Sequence, residues 1–287
     1  YLAWAVIGAA MAATLYEPAM AVLVALDPSR RHRTLAVVTV AGGLASTVFA
    51  PLTRWLIELF GWRVALALLG VGGGVVTALL HAFVLPSAHE HPIEEPVAHV
   101  PAPPMDAPLR RLRSAVLFEQ AAMIATTAYL ISLLLDRSVV LATASAALAV
   151  MGLGKVAGRI LLLGPIGRRP STTLAAMCAA VQVVGLALPL AATSSAALFA
   201  AMFVVGSASG ATTVLRPLIV VELVGPAPFA ATNARIQRSS TIARAGAPLV
   251  LGVAATVLGW AASWTACLVA FAVAGGRYVA LGRSSRG

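Results

Sequence analysis

The sequence predicts an all-α fold, a polytopic transmembrane helical bundle. Three observations carry the prediction. Of the 287 residues, 60% are hydrophobic and only 10% charged, whereas a soluble domain carries about 25% charged residues. Apolar runs of some twenty residues recur along the chain, and roughly 20 such residues cross a hydrocarbon core about 30 Å thick. Arginines gather at alternate junctions between these runs.

About nine spans follow in order. The first three cover residues 1–26, 35–60 and 64–85. A polar segment, 86–108, comes next and is too poor in apolar surface to fold alone, so it reads as a solvated linker. Its His89, His91, Glu90, Glu94 and Glu95 lack the spacing of a metal site. The remaining spans cover 112–135, 139–163, 172–192, 196–224, 236–258 and 261–281. Gly70 and Gly74, Gly154 and Gly158, and Gly206 and Gly210 have the small-xxx-small spacing that lets membrane helices approach closely.

The junctions orient the bundle. Fourteen arginines fall in clusters at 30–33, 110–113, 168–169, 235–244 and 277–286. The opposite junctions hold only Arg54, Arg63 and Arg137. The arginine-rich side is expected to be cytoplasmic, with the C-terminus inside and Tyr1 outside. An odd number of spans satisfies this, and nine is odd. The net charge of +10 then needs no nucleic-acid partner, since no basic face lies on a soluble domain. Cys178 and Cys267 lie within apolar runs and mark neither a disulfide framework nor a metal. No nucleophile elbow, phosphate loop or metalloprotease signature is present, so neither an enzyme nor a cofactor is expected. The chain opens inside an apolar run without a methionine, so a natural start further upstream is expected.

Two motifs resemble the major facilitator superfamily. Gly61-Trp62-Arg63, opening a span, resembles the start of that family's sixth helix. Gly164-Pro165-Ile166-Gly167-Arg168-Arg169, following Gly158-Arg159, resembles the second copy of its cytoplasmic loop motif. Pro165 and Ile166 stand where the family carries an acidic residue. The resemblance implies helices four to twelve with the first three absent. Residues 1–86 would be the remainder of the N-terminal half, 87–110 the cytoplasmic loop between halves, and 111–287 the six-helix C-terminal half. Gly164, Gly167, Arg168 and Arg169 would form the cytoplasmic loop motif or gate. The stretch from Gly42-Gly43 to Ala50-Pro51 only faintly resembles the motif of the family's drug antiporters, with Ala50 in place of a glycine.

Charges within spans are the candidate site, because an ionisable group near the bilayer centre costs at least about 2.5–3.5 kcal/mol. By helical rise, Glu17 lies roughly 13 Å from its cytoplasmic helix end, and Glu119, Arg216 and Lys155 roughly 10–12 Å. Arg159 lies one turn nearer the cytoplasm. In the family fold, helices one, four, seven and ten line the cavity, and the resemblance places Glu17, Glu119 and Arg216 on that set. Glu17 and Glu119 are expected to carry the proton, and Arg216 and Lys155 the substrate charge. Arg159 would join the path or gate, and Tyr16 and Gln120 would hydrogen-bond substrate. Each has a blander reading as glue between helices or as a snorkelling side chain. His81 and Gln182 read as packing or snorkelling residues, and Tyr129 and Trp4 as an interface belt.

The expected protein is a secondary active transporter, moving a small organic solute, anionic in the favoured case, across an inner membrane by alternating access with proton coupling. Its partners are membrane lipid, the solute and protons, and it is expected to be monomeric. A drug or metabolite efflux antiporter is the alternative within the family. A non-transporting membrane sensor or structural protein is the alternative from another class.

Overall fold

A computed structural model describes residues 2–14, 31–84, 101–191 and 194–284. Among these, the elements are α1 (Leu2–Thr14), α2 (Arg31–Val84), α3 (Ala107–Asp136), α4 (Leu141–Leu161), a short 3-10 turn (Pro165–Arg168), α5 (Ser171–Ala191), α6 (Ser195–Val224), α7 (Phe229–Leu258) and α8 (Trp260–Ser284). No strand occurs among the described residues. Seven helical segments there are long and apolar enough to cross a membrane: Trp55–Phe83 and each of α3 to α8. The six spans expected after residue 111 correspond to these six helices. Of the others, 35–60 is helical throughout, and 1–26 lies partly outside the described residues.

The chain forms two compact units, one of residues 41–100 and one joining 1–40 with 101–287. In the first, α2 is interrupted at Gly61 (φ 75°, ψ 164°). This divides the helix where the sequence predicts two spans to meet. Positive φ with extended ψ is a region that essentially only glycine occupies.

In the second unit, α3 opens on an Asp106 cap whose Oδ1 accepts from the Leu109 N–H at 3.0 Å, with Pro108 in the first turn. Gly225 and Gly259 end α6 and α7 at φ 76° and 84°. Gly259 (ψ 163°) has nearly the conformation of Gly61, and each is followed by a tryptophan that opens the next stretch of helix. The Gly-Trp pair thus starts a stretch of helix at two places in the chain. Replacing Gly259 with valine is expected to cost about 1–3 kcal/mol through backbone strain. A lowered Tm of the purified protein would report it, whereas Gly276→Ala, in open space, is expected to leave Tm nearly unchanged.

The packing order is set by which faces are apolar or small. Helix α4 lies chiefly on α6, α5 lies between α6 and α8, and α3 packs on α8 and α7. The core forms two apolar layers. One holds Leu112, Val116, Leu174, Leu215, Leu218, Phe229 and Tyr278. The other holds Leu130, Leu133, Met151, Leu186, Met202, Trp264 and Phe271. On α3 the seam between layers falls at Glu119, and on α6 at Ser209 and Gly210, so the polar residues converge at one level. Leu249, Val253 and Val257 on α7 point outward, as suits a helix solvated by lipid tails.

Helices α4 and α6 meet backbone to backbone through their glycines. A side chain on Gly154 would meet the Phe203 backbone, and one on Gly158 the Ser207 backbone. Reciprocally, Gly206 faces the Met151 backbone and Gly210 the Lys155 backbone. The two glycine pairs therefore interlock. Gly70 and Gly74 share the spacing, but nothing lies within 4 Å of a side chain at either position.

Candidate functional site

The glycine contact brings two charged helices together, and beside it a cavity of about 300 Å³ opens. Four helices line it at helical periodicity. Helix α3 gives Gln120, Met123, Ile124 and Thr127, and α4 gives Lys155 and Arg159, one turn apart. Helix α6 gives Ser209, Thr213, Arg216 and Pro217, and α7 gives Asn233, Gln237 and Arg244. Cations come from three different helices, interleaved with three side-chain amides.

Glu119 does not line this space. It is 1% exposed, at the seam between the core layers. Its Oε2 accepts a hydrogen bond from the Tyr278 hydroxyl at 2.8 Å and stands 3.6 Å from Arg216 Nε. With the Gln120 amide turned so that its carbonyl faces the guanidinium, that oxygen accepts from both Nη1 and Nη2 of Arg216. Arg216 is thus held from behind by Glu119 and from the side by Gln120. The Arg159 Nε is buried without a hydrogen-bond partner. A buried, unpaired guanidinium nitrogen is unfavourable, and an anion in the cavity would relieve it. Among the described residues one carboxylate balances one of four cations, which leaves the cavity an excess of positive charge.

Four expected site residues, Gln120, Lys155, Arg159 and Arg216, share this one cavity. Glu119 backs it through Arg216. Glu17 and Tyr16 lie outside the described residues. The sequence reading missed Asn233, Gln237 and Arg244, and it placed Arg244 in a cytoplasmic junction cluster. Arg244 instead lies within α7 (Phe229–Leu258), which turns Asn233, Gln237 and Arg244 to the cavity. The spacing of 233, 237 and 244 lies on one helical face and was the available signal. Tyr278 carried no sequence signal beyond its place near a helix end.

The loop motif lies elsewhere. Gly164, Gly167, Arg168 and Arg169 line a separate cleft of about 500 Å³ between α4 and α5, with Glu222 from the end of α6. Glu222 accepts from the Ser171 hydroxyl at 2.6 Å. The carboxylate near this loop therefore comes from α6, not from the position that Pro165 or Ile166 occupies. Gly167 is required there, since a side chain would strike the Leu162 backbone.

The other candidates have structural surroundings. Gln182 is fully buried and without a hydrogen-bond partner, so it does not snorkel. His81 Nδ1 lies 2.8 Å from the Thr77 carbonyl one turn back. Tyr129 donates to the Pro248 carbonyl at 3.0 Å and stacks at a tilt on Trp260, with centroids 5.4 Å apart. It therefore ties α3 to α7 and α8. The Trp4 side chain lies outside the description. Among the described residues, no cluster of histidine, cysteine or carboxylate is disposed to hold a metal ion.

A helical membrane bundle with a polar cavity among its helices is the architecture of a membrane carrier. The family model of the Major Facilitator Superfamily matches residues 1–234, and the chain belongs to that family. It is thus a membrane transporter rather than an enzyme. No curated protein matches the sequence.

Proposed function

We propose that the protein carries a small organic anion across a bacterial-type inner membrane by alternating access, driven by a proton gradient. The observation that supports this reading is the convergence of Lys155, Arg159, Arg216 and Arg244 on one cavity, with Glu119 the one carboxylate beside it among the described residues. Arginine presents a planar fork that pairs with a carboxylate or phosphate through two parallel hydrogen bonds. Gln120, Asn233 and Gln237 donate and accept, and so orient the uncharged part of the solute. In the two-half architecture the site would open to alternate sides as the halves rock.

Proton coupling is assigned to Glu119. Protonating this carboxylate would remove its hold on Arg216 and free the guanidinium for the anion. The expected result is that Glu119→Gln retains binding of the anion but loses the dependence of transport on an imposed pH gradient. Transport into proteoliposomes, with and without the gradient, checks it. An unchanged response to the gradient would remove Glu119 from the coupling. The solute class is tested by uptake of size-matched anionic, neutral and cationic compounds, with only the anions expected to be carried.

A further inference from the structure

A second cationic site lies at the ends of α3 and α8, outside the central cavity. Arg110, Arg111 and Ser114, from the first two turns of α3, and Arg277 of α8 surround a concavity of about 370 Å³. Arg111 Nη1 donates to the Ala280 carbonyl at 3.3 Å, which ties the two helices together. Arg110 Nη1 donates to the Met105 carbonyl, and the Ser114 hydroxyl donates to the Arg111 carbonyl at 2.9 Å. A guanidinium has five N–H donors, so these bonds leave most of them available. Among the described residues, no carboxylate lines the concavity.

A separate apolar groove lies further along the same helices. Ala121, Gly246, Val250, Leu251, Cys267 and Ala270 are among the residues that line a groove of about 360 Å³ between α3, α7 and α8. Ala121 follows Ser114 by seven residues, and Ala270 precedes Arg277 by seven. Seven residues are nearly two turns, which keeps both pairs on one face and about 10 Å apart along the axis. Positive charge lies at the helix ends, and the apolar groove lies about two turns further towards the middle of the spans. This is the shape of a headgroup with its chain. A free phosphate would use the first part only.

We infer that Arg110, Arg111, Ser114 and Arg277 bind the phosphodiester headgroup of an anionic phospholipid, with one acyl chain reaching the apolar groove between α3, α7 and α8. Basic pockets between membrane helices bind anionic lipid headgroups through the same chemistry. The site is independent of the central cavity, and its failure would leave the transport reading untouched.

The test is native mass spectrometry of the purified protein with phosphatidylglycerol and with phosphatidylcholine of equal chain length. Phosphatidylglycerol is expected to be retained at least about tenfold better. Arg110→Gln/Arg277→Gln should weaken it by about fivefold per arginine removed and leave phosphatidylcholine unchanged. Ala270→Leu, which fills the groove, should weaken it too. Neither inorganic phosphate nor glycerophosphoglycerol, the headgroup without chains, should displace the lipid. If the double variant does not fold, Arg277→Gln alone decides, with one fivefold loss expected. Equal retention of the two lipids, or no loss in the arginine variants, overturns the proposal. Displacement by inorganic phosphate overturns it in favour of a free-anion site.

Discussion

Replacing Arg216 with glutamine is expected to abolish transport of the anion and also to destabilise the bundle. Glu119 and Arg216 are both buried, with side chains 2% and 14% exposed. Removing the guanidinium leaves the carboxylate in the core with only the Tyr278 hydroxyl for company. Breaking a buried pair from one side typically costs about 3–5 kcal/mol, because the remaining charge is uncompensated. The double replacement Glu119→Gln/Arg216→Gln removes both charges and is expected to recover most of that stability. It should not recover transport, because the cavity still lacks its α6 cation. Thermal unfolding separates the two effects: Tm falls in the single variant and largely returns in the double, while uptake stays absent in both. If transport returns with stability, Arg216 is glue between α3 and α6 and touches no substrate.

The second large effect is expected at the glycine contact. Gly158→Leu should separate α4 from α6, since its side chain would occupy the space of the Ser207 backbone, which cannot move aside as a flexible side chain would. Overpacking in a well-filled core typically costs about 1–3 kcal/mol, and a backbone obstacle places this change at or above the upper end. Lys155 and Arg159 would then shift relative to Arg216, so uptake is expected to fall even in protein that still folds. Gly152→Ala supplies the comparison. It lies on the same helix in open space, and alanine is the better helix former by about 1 kcal/mol, so its Tm should be unchanged or raised. Equal losses in the two variants would mean that α4 tolerates no change anywhere, and the interlocked glycines would have no special part.

The span boundaries were legible because hydrophobic length is the strongest signal a membrane chain carries. Residues 172–192 and 196–224 match α5 (Ser171–Ala191) and α6 (Ser195–Val224) to within a residue. The prediction for α7 began seven residues late. Thr232, Asn233, Arg235 and Gln237 make its first two turns read as a loop, yet Thr232 and Asn233 are buried and helical. The same polarity that hid the helix start also hid two of the cavity's three amides, and it drew Arg244 into the junction cluster at 235–244. Lys155, Arg159 and Arg216 stood out because a charge inside a span is conspicuous.

Two other features were visible as patterns but not as contacts. Gly154, Gly158, Gly206 and Gly210 share one spacing with Gly70 and Gly74, and only the tertiary arrangement separates the four that interlock from the two that meet nothing. Glu119 was legible as a buried carboxylate on a cavity helix. Its separation from the cavity by Arg216 was not, because that depends on which of two neighbouring residues, Glu119 or Gln120, faces inward.

The central claim is that the cavity of Lys155, Arg159, Arg216 and Arg244 receives an organic anion. The most direct measurement is uptake into proteoliposomes of matched anionic, neutral and cationic solutes, by the native protein and by Arg159→Gln. Arg159 carries a buried nitrogen that lacks a hydrogen-bond partner, and no carboxylate is paired with it among the described residues, so its loss should leave Tm nearly intact. The account predicts uptake of anions only, reduced at least about tenfold in Arg159→Gln, the magnitude of one charge-assisted hydrogen bond or more. Uptake of cations or neutral solutes in preference to anions, unaffected by Arg159→Gln, would contradict it.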